Sequence, residues 1–270
     1  MTTRLRIIDD SAHEPRFNMA ADYYLLKNCS KSDCVNVRIY SWTVPSITLG
    51  YMQNAQEVLD MEAIKRDGVH YIRRPTGGRA VLHDDDITYS CIFPHAVTSM
   101  GTSIAQTYAI ITRCLIDGLK RCSIPCDTHD SYDEFRELKR EIKLPCFLSP
   151  NRDEVMVGGR KLVGSAQKRT IDGVLQHGSI PLSCAYRRLP EYLQIDDKSR
   201  RVQKRALEAK SISINEVNPE ISPQKLIGEI IEAFIANLPF EQIVRGGWSH
   251  EEFREINAVA QSPDFVQSFL

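Results

Sequence analysis

No part of the chain restricts its folding more than residues 155–182, VMVGGRKLVGSAQKRTIDGVLQHGSIPL. Apolar runs there are interrupted by small residues, with Gly158 and Gly159 before Lys161 and Gly164, Ser165 and Ala166 after it. That pattern predicts strands at 155–157, 161–168 and 174–179, joined by tight turns. Small residues also let a ligand lie against bare backbone. A second glycine turn, Arg73-Arg74-Pro75-Thr76-Gly77-Gly78-Arg79, precedes another apolar strand.

Strand and helix signals alternate along the rest of the chain without a clean period, which predicts an α+β, mixed α/β fold. Strands are expected at 4–8, 35–42, 46–51, 69–73, 80–83 and 87–93. Helices are expected at 17–27 and at 56–66, the latter ending before Gly68. A longer helix is expected at 102–119, with Ile104, Tyr108, Ile111, Leu115 and Leu119 on one face. Beyond residue 182 the pattern turns helical. Ser222 and Pro223 supply an N-cap and a first-turn proline for 224–236, and Ser249 with Glu252 forms a capping box for a last helix. The reading is a catalytic body over 1–182 and a C-terminal helical extension over 183–270 packed on it.

Composition narrows the classes. With 42% hydrophobic and 26% charged residues over 270, the chain is of soluble globular type. A net charge of -1 gives no whole-molecule reason to expect nucleic acid. The first residues, MTTRLRIIDDSAHEPRF, hold no signal-peptide core, and no run of about 18 apolar residues exists to span a membrane. The eight cysteines are scattered, with no C-x-x-C pair, so free thiols in a cytoplasmic protein are expected. The default oligomeric state is a monomer.

Several residues can carry chemistry. In the turn, Pro75 sets a rigid entry, while Arg74 and Arg79 can meet an anion such as the phosphate of a pantetheine arm. The alternative is a glycine hairpin with two solvated arginines. The turn is no P-loop, because the Gly-Lys-Ser/Thr ending is absent. His83-Asp84-Asp85-Asp86 invites a metal, but successive residues of an extended chain point to opposite sides. We read a solvated acidic turn and assign no metal. Cys146, between Pro145 and Phe147, is either a small buried hydrophobe or a nucleophile whose thiolate a nearby cation supports. Lys161 either points its charge at a bound carbonyl or faces outward on a hairpin. His177 is either an acid–base group or a hydrogen-bonded strand residue. The basic run 198–205 is a solvated face or a docking site for an acidic carrier.

These segments together resemble the lipoate–biotin protein ligase superfamily. Three signatures carry the likeness: RRPTGGRAVLHD over 73–84, GRKLVGSAQ over 159–167, and QHGSI over 176–180. Asn18-Met19-Ala20 and Gly50-Tyr51-Met52-Gln53 add weaker support. Within the superfamily the chain looks most like the cysteine-dependent octanoyltransferases, relatives of lipoate–protein ligase A. The resemblance implies mixed sheets flanked by helices. It also implies transfer of an octanoyl group from acyl carrier protein to a lysine of a lipoyl domain or glycine-cleavage H protein. By the same resemblance Cys146 is the nucleophile, and Lys161 contacts the acyl carbonyl. The implied substrate-binding residues are Arg74, Gly77, Gly78, Arg79, His83, Gly164, Ser165, Ala166, His177 and Gly178. A thioester donor is already activated, so no cofactor is expected. ATP and Mg enter only if the chain is instead an ATP-dependent lipoate–protein ligase. That branch commonly has a third glycine where this chain has Arg79. A third reading is a non-catalytic lipoyl-domain or acyl-binding protein, against which the presence of both Cys146 and Lys161 argues.

Overall fold

The computed structural model describes residues 3–129 and 154–269. Its spine is a mixed six-stranded sheet in the order β10-β11-β6-β2-β1-β12. β1 (Arg4–His13) runs parallel to β2 (Cys34–Trp42) and to β12 (Gln242–Arg245). The remaining neighbours, β6 (Asp86–Phe93), β10 (Gly164–Arg169) and β11 (Val174–Pro181), pair antiparallel. All eight residues of β6 and all eight of β11 are buried, as befits strands covered on both faces.

One face of this sheet is covered by α4 (Ile104–Arg121) and α7 (Pro223–Asn237). Ile111, Leu115, Ile230 and Phe234 share a core with Val37, Ile39 and Tyr89 of the sheet. Gly118 sets how closely the two helices approach: a Cβ there would stand 2.7 Å from Ile230 Cα. On the other face lies α1 (Pro15–Asn28), which packs against α8 (His250–Gln261) and, through Tyr23, against α9 (Pro263–Phe269). A small sheet, β4 (His70–Arg73), β3 (Ser46–Leu49) and β5 (Val81–His83), stands beside this body. Its core includes residues of α3 (Met61–Asp67) and of the 3-10 helix Cys184–Tyr192. A third sheet joins β7 (Asp127–His129), β8 (Glu154–Val157) and β9 (Arg160–Lys161).

The structure departs from the sequence reading at several elements, beginning with β3, which ends at Leu49 rather than Tyr51. The helix expected at 56–66 is two, α2 (Ala55–Val58) and α3, because Asp60 caps α3 by accepting from the amides of Glu62 and Ala63. Gly68, at φ 64°, ends α3 as anticipated. The strand expected at 161–168 breaks after Lys161, where Leu162 and Val163 turn wholly into the core. Ile104 is 60% exposed, while the other four residues assigned to its face are buried. The segment after 182 is not only helical, since it supplies β12, and Leu226, Ile230 and Phe234 of α7 share the main core with Val174 and Ile180. This segment also holds α5 (Asp197–Lys210) and α6 (Ile214–Val217). No helix among the described residues is long and apolar enough to cross a membrane.

Candidate active site

A cleft of about 480 Å³ opens where β10 and β11 face the small sheet. Met19, Tyr40, Trp42 and Val81 give it apolar and aromatic walls. Gly164, Ser165, Ala166 and Gly178 add small residues that leave the backbone nearly bare. A Cβ on Gly178 would stand 2.6 Å from Gly164 O and from Tyr89 Cε1, so only glycine lets these strands and the tyrosine meet. Thr48, Arg74, His83, Thr88, Lys161, His177 and Ser179 complete the lining.

The glycine turn beside the cleft is held from within. Arg74 is buried, and its guanidinium donates to Thr76 Oγ1 at 3.1 Å, Thr48 O at 3.0 Å, Gly77 O at 2.8 Å and Arg79 O at 2.9 Å. It therefore clamps the turn, and the solvated-arginine alternative fails for it. Gly78 has φ 104°, a conformation that favours glycine. Gly50 is required by proximity, since a Cβ there would meet Gly78 O at 1.9 Å. Tyr51 N donates to Thr76 O at 2.9 Å and ties the two loops together. Gly77, Gly78 and Arg79 stand outside the cleft lining. Arg79 lines a separate hollow with Glu57 and Leu189, and its buried Nη1 has no partner among the described residues.

Lys161 is 5% exposed and donates to Glu154 Oε1 at 2.6 Å, so it is not an outward-facing hairpin lysine. Lys161 lines the cleft, and its ammonium is ion-paired with the Glu154 carboxylate. Cys146 lies outside the described residues. Of the residues assigned from sequence, Arg74, His83, Lys161, Gly164, Ser165, Ala166, His177 and Gly178 line one cavity.

Two histidine–carboxylate pairs stand in this region. His177 Nδ1 lies 3.2 Å from Asp22 Oδ2, and its Nε2 lies 2.7 Å from Thr76 Oγ1. Asp22 is fully buried and also receives Arg38 Nη1 at 3.0 Å, Tyr40 Oη at 3.1 Å and Ser90 Oγ at 2.9 Å. Burial pushes the Asp22 carboxyl up, but the bond from His177 and the charge of Arg38 together hold it below its usual value. Burial pushes His177 down against the pull of Asp22. The pair is thus a carboxylate and a neutral imidazole, with Arg38 as the balancing cation. His177 is therefore hydrogen-bonded at both ring nitrogens while lining the cleft.

The second pair is His83 with Asp86, Nδ1 to Oδ2 at 2.8 Å. Asp86 is buried, which corrects the reading of 83–86 as a solvated acidic turn. Asp85, at φ 60°, turns the chain so that Asp86 enters the body. No group of His, Cys, Asp and Glu among the described residues is placed to hold a metal.

Sequence reasoning missed Asp22, Arg38, Thr48, Asp86 and Glu154. Asn18 and Asp22 did leave a signal: two polar residues four apart on a helix share one face. Both prove to be fully buried there, and both bind Arg38.

Residues 14–235 match the model of the lipoyl protein ligase A/B catalytic domain. Octanoyltransferase LipM of Geobacillus kaustophilus is 35% identical over 227 residues, covering 78% of this chain and 81% of that protein. Octanoyltransferase LipM of Bacillus cereus is 31% identical over 261 residues, covering 94% and 93%. Among solved structures, a bipartite lipoate protein ligase from Thermoplasma acidophilum has a TM-score of 0.76 at 18% identity, covering 98% of this chain and 96% of that one. A lipoate-protein ligase A bound with ATP has a TM-score of 0.74 at 18% identity, covering 97% and 95%. At that identity the likeness is one of fold.

Proposed function

Because the chain belongs to the lipoyl protein ligase A/B catalytic-domain family, we propose that it is an acyltransferase of protein lipoylation. It moves an octanoyl group from octanoyl-acyl carrier protein to a lysine of a lipoyl domain or H protein. The relatives named octanoyltransferase support the acyl group. The observation that carries the chemistry is Lys161, a buried ammonium at the edge of an apolar cleft lined by bare backbone.

The reaction has two halves. Cys146 sulfur attacks the octanoyl thioester carbonyl, and the carrier's thiol leaves. The acceptor amine then attacks the acyl-cysteine carbonyl, the C–S bond breaks, and an amide remains. Lys161 stabilises the oxyanion of each addition, and Glu154 fixes where its ammonium sits. Met19, Tyr40, Trp42 and Val81 bury the acyl chain, at about 0.8 kcal/mol for each of its methylene groups. Neither half needs ATP or Mg. The enzyme works as a cytoplasmic monomer, without nucleic acid or membrane.

Intact-protein mass spectrometry after incubation with octanoyl-acyl carrier protein, without ATP, tests the proposal. The wild type is expected to gain a hydroxylamine-sensitive octanoyl adduct that Cys146→Ser lacks as a thioester. ATP-dependent modification of a lipoyl domain by free octanoate or lipoate, with no adduct, would establish a ligase instead. Neither activity would leave a binding protein.

A further inference from the structure

His83 is the middle of a chain of groups that begins in the cleft. Thr48 Oγ1 lies 2.9 Å from His83 Nε2, and His83 Nδ1 lies 2.8 Å from Asp86 Oδ2. A carboxylate only accepts, so Nδ1 carries a proton and Nε2 of the neutral ring is left to accept from the Thr48 hydroxyl. The ring is held in place by Trp42, stacked on it at 4.2 Å between centroids and 22° between planes. Trp42 Nε1 donates to Thr88 Oγ1 at 2.9 Å, and the hydroxyls of Thr88 and Ser179 donate to the Asp86 carboxylate. Asp86 Oδ1 is buried without a partner among the described residues. Hydroxyl, base and orienting carboxylate thus stand in the relation that activates a proton transfer.

The proposed reaction has a step that needs such a base. An acceptor lysine is protonated near neutral pH and cannot attack a carbonyl. Lys161, ion-paired with Glu154, is a cation and a donor rather than an acceptor. His177 has Nε2 committed to Thr76, which lies outside the cleft lining. Thr48 and His83 both line the cleft. The charged and titratable neighbours of His83 are Asp86 behind it, Asp84 and Asp85 next to it along the chain, Arg74 beyond Thr48, and Tyr40, His177 and Lys161 in the same cleft.

We infer that Thr48, His83 and Asp86 form the proton relay that deprotonates the acceptor lysine, an inference that rests on the acyl-cysteine reading above. The ammonium gives a proton to Thr48 Oγ1 while the Thr48 hydroxyl proton passes to His83 Nε2. The imidazolium faces the Asp86 carboxylate. The freed lone pair forms the C–N bond at the acyl carbon, and the C–S bond breaks with its electron pair on Cys146 sulfur. The second amine proton goes to that sulfur, which ends as a thiol, and His83 returns its proton to water.

The test isolates the octanoyl-enzyme and chases it with either a lipoyl domain or hydroxylamine, a nucleophile already present as the free base at neutral pH. In His83→Gln and Thr48→Val, transfer to the lipoyl lysine is expected to fall by on the order of 100-fold, the usual worth of a general base. Release to hydroxylamine should change little, and the lysine deficit should shrink as pH rises toward the ordinary lysine range. Equal losses with both nucleophiles would overturn the relay, because a merely structural role slows both. Undiminished lysine transfer in either variant would also overturn it. If His83→Gln does not fold, Thr48→Val decides alone. Failure of the wild type to form any acyl-enzyme is a different outcome, which overturns the acyl-cysteine reading and the relay with it.

Discussion

Gly50→Ala puts the architecture of the glycine turn to a quantitative test. The added Cβ would lie 1.9 Å from Gly78 O and 2.7 Å from Gly78 C. Both are backbone atoms, so no side chain can swing away. Restoring about 3.0 Å of separation requires the two loops to part by roughly 1.1 Å, and a displacement near 1 Å at a reacting centre costs on the order of 100-fold in rate. The Gly78 carbonyl belongs to the turn that Arg74 ties to Thr48 and Thr76, so the shift reaches the cleft wall. Overpacking of this kind should also cost about 1–3 kcal/mol of stability. The assay is single-turnover formation of octanoyl-enzyme, beside denaturant unfolding. Gly228→Ala, in α7 with nothing within 4 Å of the new Cβ, is the control. It should match the wild type in rate and gain up to about 1 kcal/mol. A Gly50→Ala enzyme with wild-type rate and stability would refute the close-approach argument.

Three further outcomes are expected. Asp22→Asn leaves Arg38 without one of its buried partners, and denaturant titration should show a loss of about 3 kcal/mol, the low end for a broken buried pair because Asp10 still holds Arg38 at 2.8 Å. Burial pushes Asp10 up, but bonds from His13, Arg38 and Trp248 outweigh it and bring the carboxyl down from 3.8 to about 2. Between those values the unfolded chain binds more protons than the folded one. The contribution is therefore complete above pH 3.8 and lost as pH falls through about 2, and Asp10→Asn should flatten that limb of the stability–pH curve. On α5, Arg200 spends its guanidinium on Pro190 O at 2.5 Å and Ile195 O at 3.2 Å, whereas Arg201 and Arg205 are exposed. If this face docks acyl carrier protein, Arg201→Glu with Arg205→Glu should raise KM for the carrier without changing hydroxylamine release from acyl-Cys146. Unaltered carrier kinetics would sink the docking idea.

What could be read from the chain alone was whatever its neighbours in sequence determine. Gly164 to Gly178 are close along the chain, and a hairpin brings them to one cleft wall with little help from elsewhere. The 83–86 segment shows the limit. Its acidity is obvious, but whether Asp86 faces water depends on Asp85 adopting positive φ and on Ser179, far along the chain, supplying a donor. Asp22 takes its meaning from His177, 155 residues away, which no local pattern encodes. Arg74 was expected to meet an anion, because a cation beside glycines is what an anion site looks like. Only the carbonyl oxygens gathered around it show that the turn itself is its ligand. β12 was missed because Gln242, Ile243, Val244 and Arg245 are all exposed and make no alternating pattern; they are a strand because β1 offers them an edge.

That edge has a consequence for biosynthesis. Arg4 pairs with Gln242, so one side of β1 lacks its strand neighbour until residue 242 has been made. β2 covers its other side early, but the open row of amides and carbonyls waits while β6, β10 and β11 are made. Such a row is a template for foreign strands. A chain released short of residue 242 would keep α1 on one face of the sheet and α4 and α7 on the other, yet lack α8 and α9 and expose this seam. Stalled or clipped forms should therefore self-associate while retaining most of their secondary structure, which places the hazard in translation rather than in the finished protein.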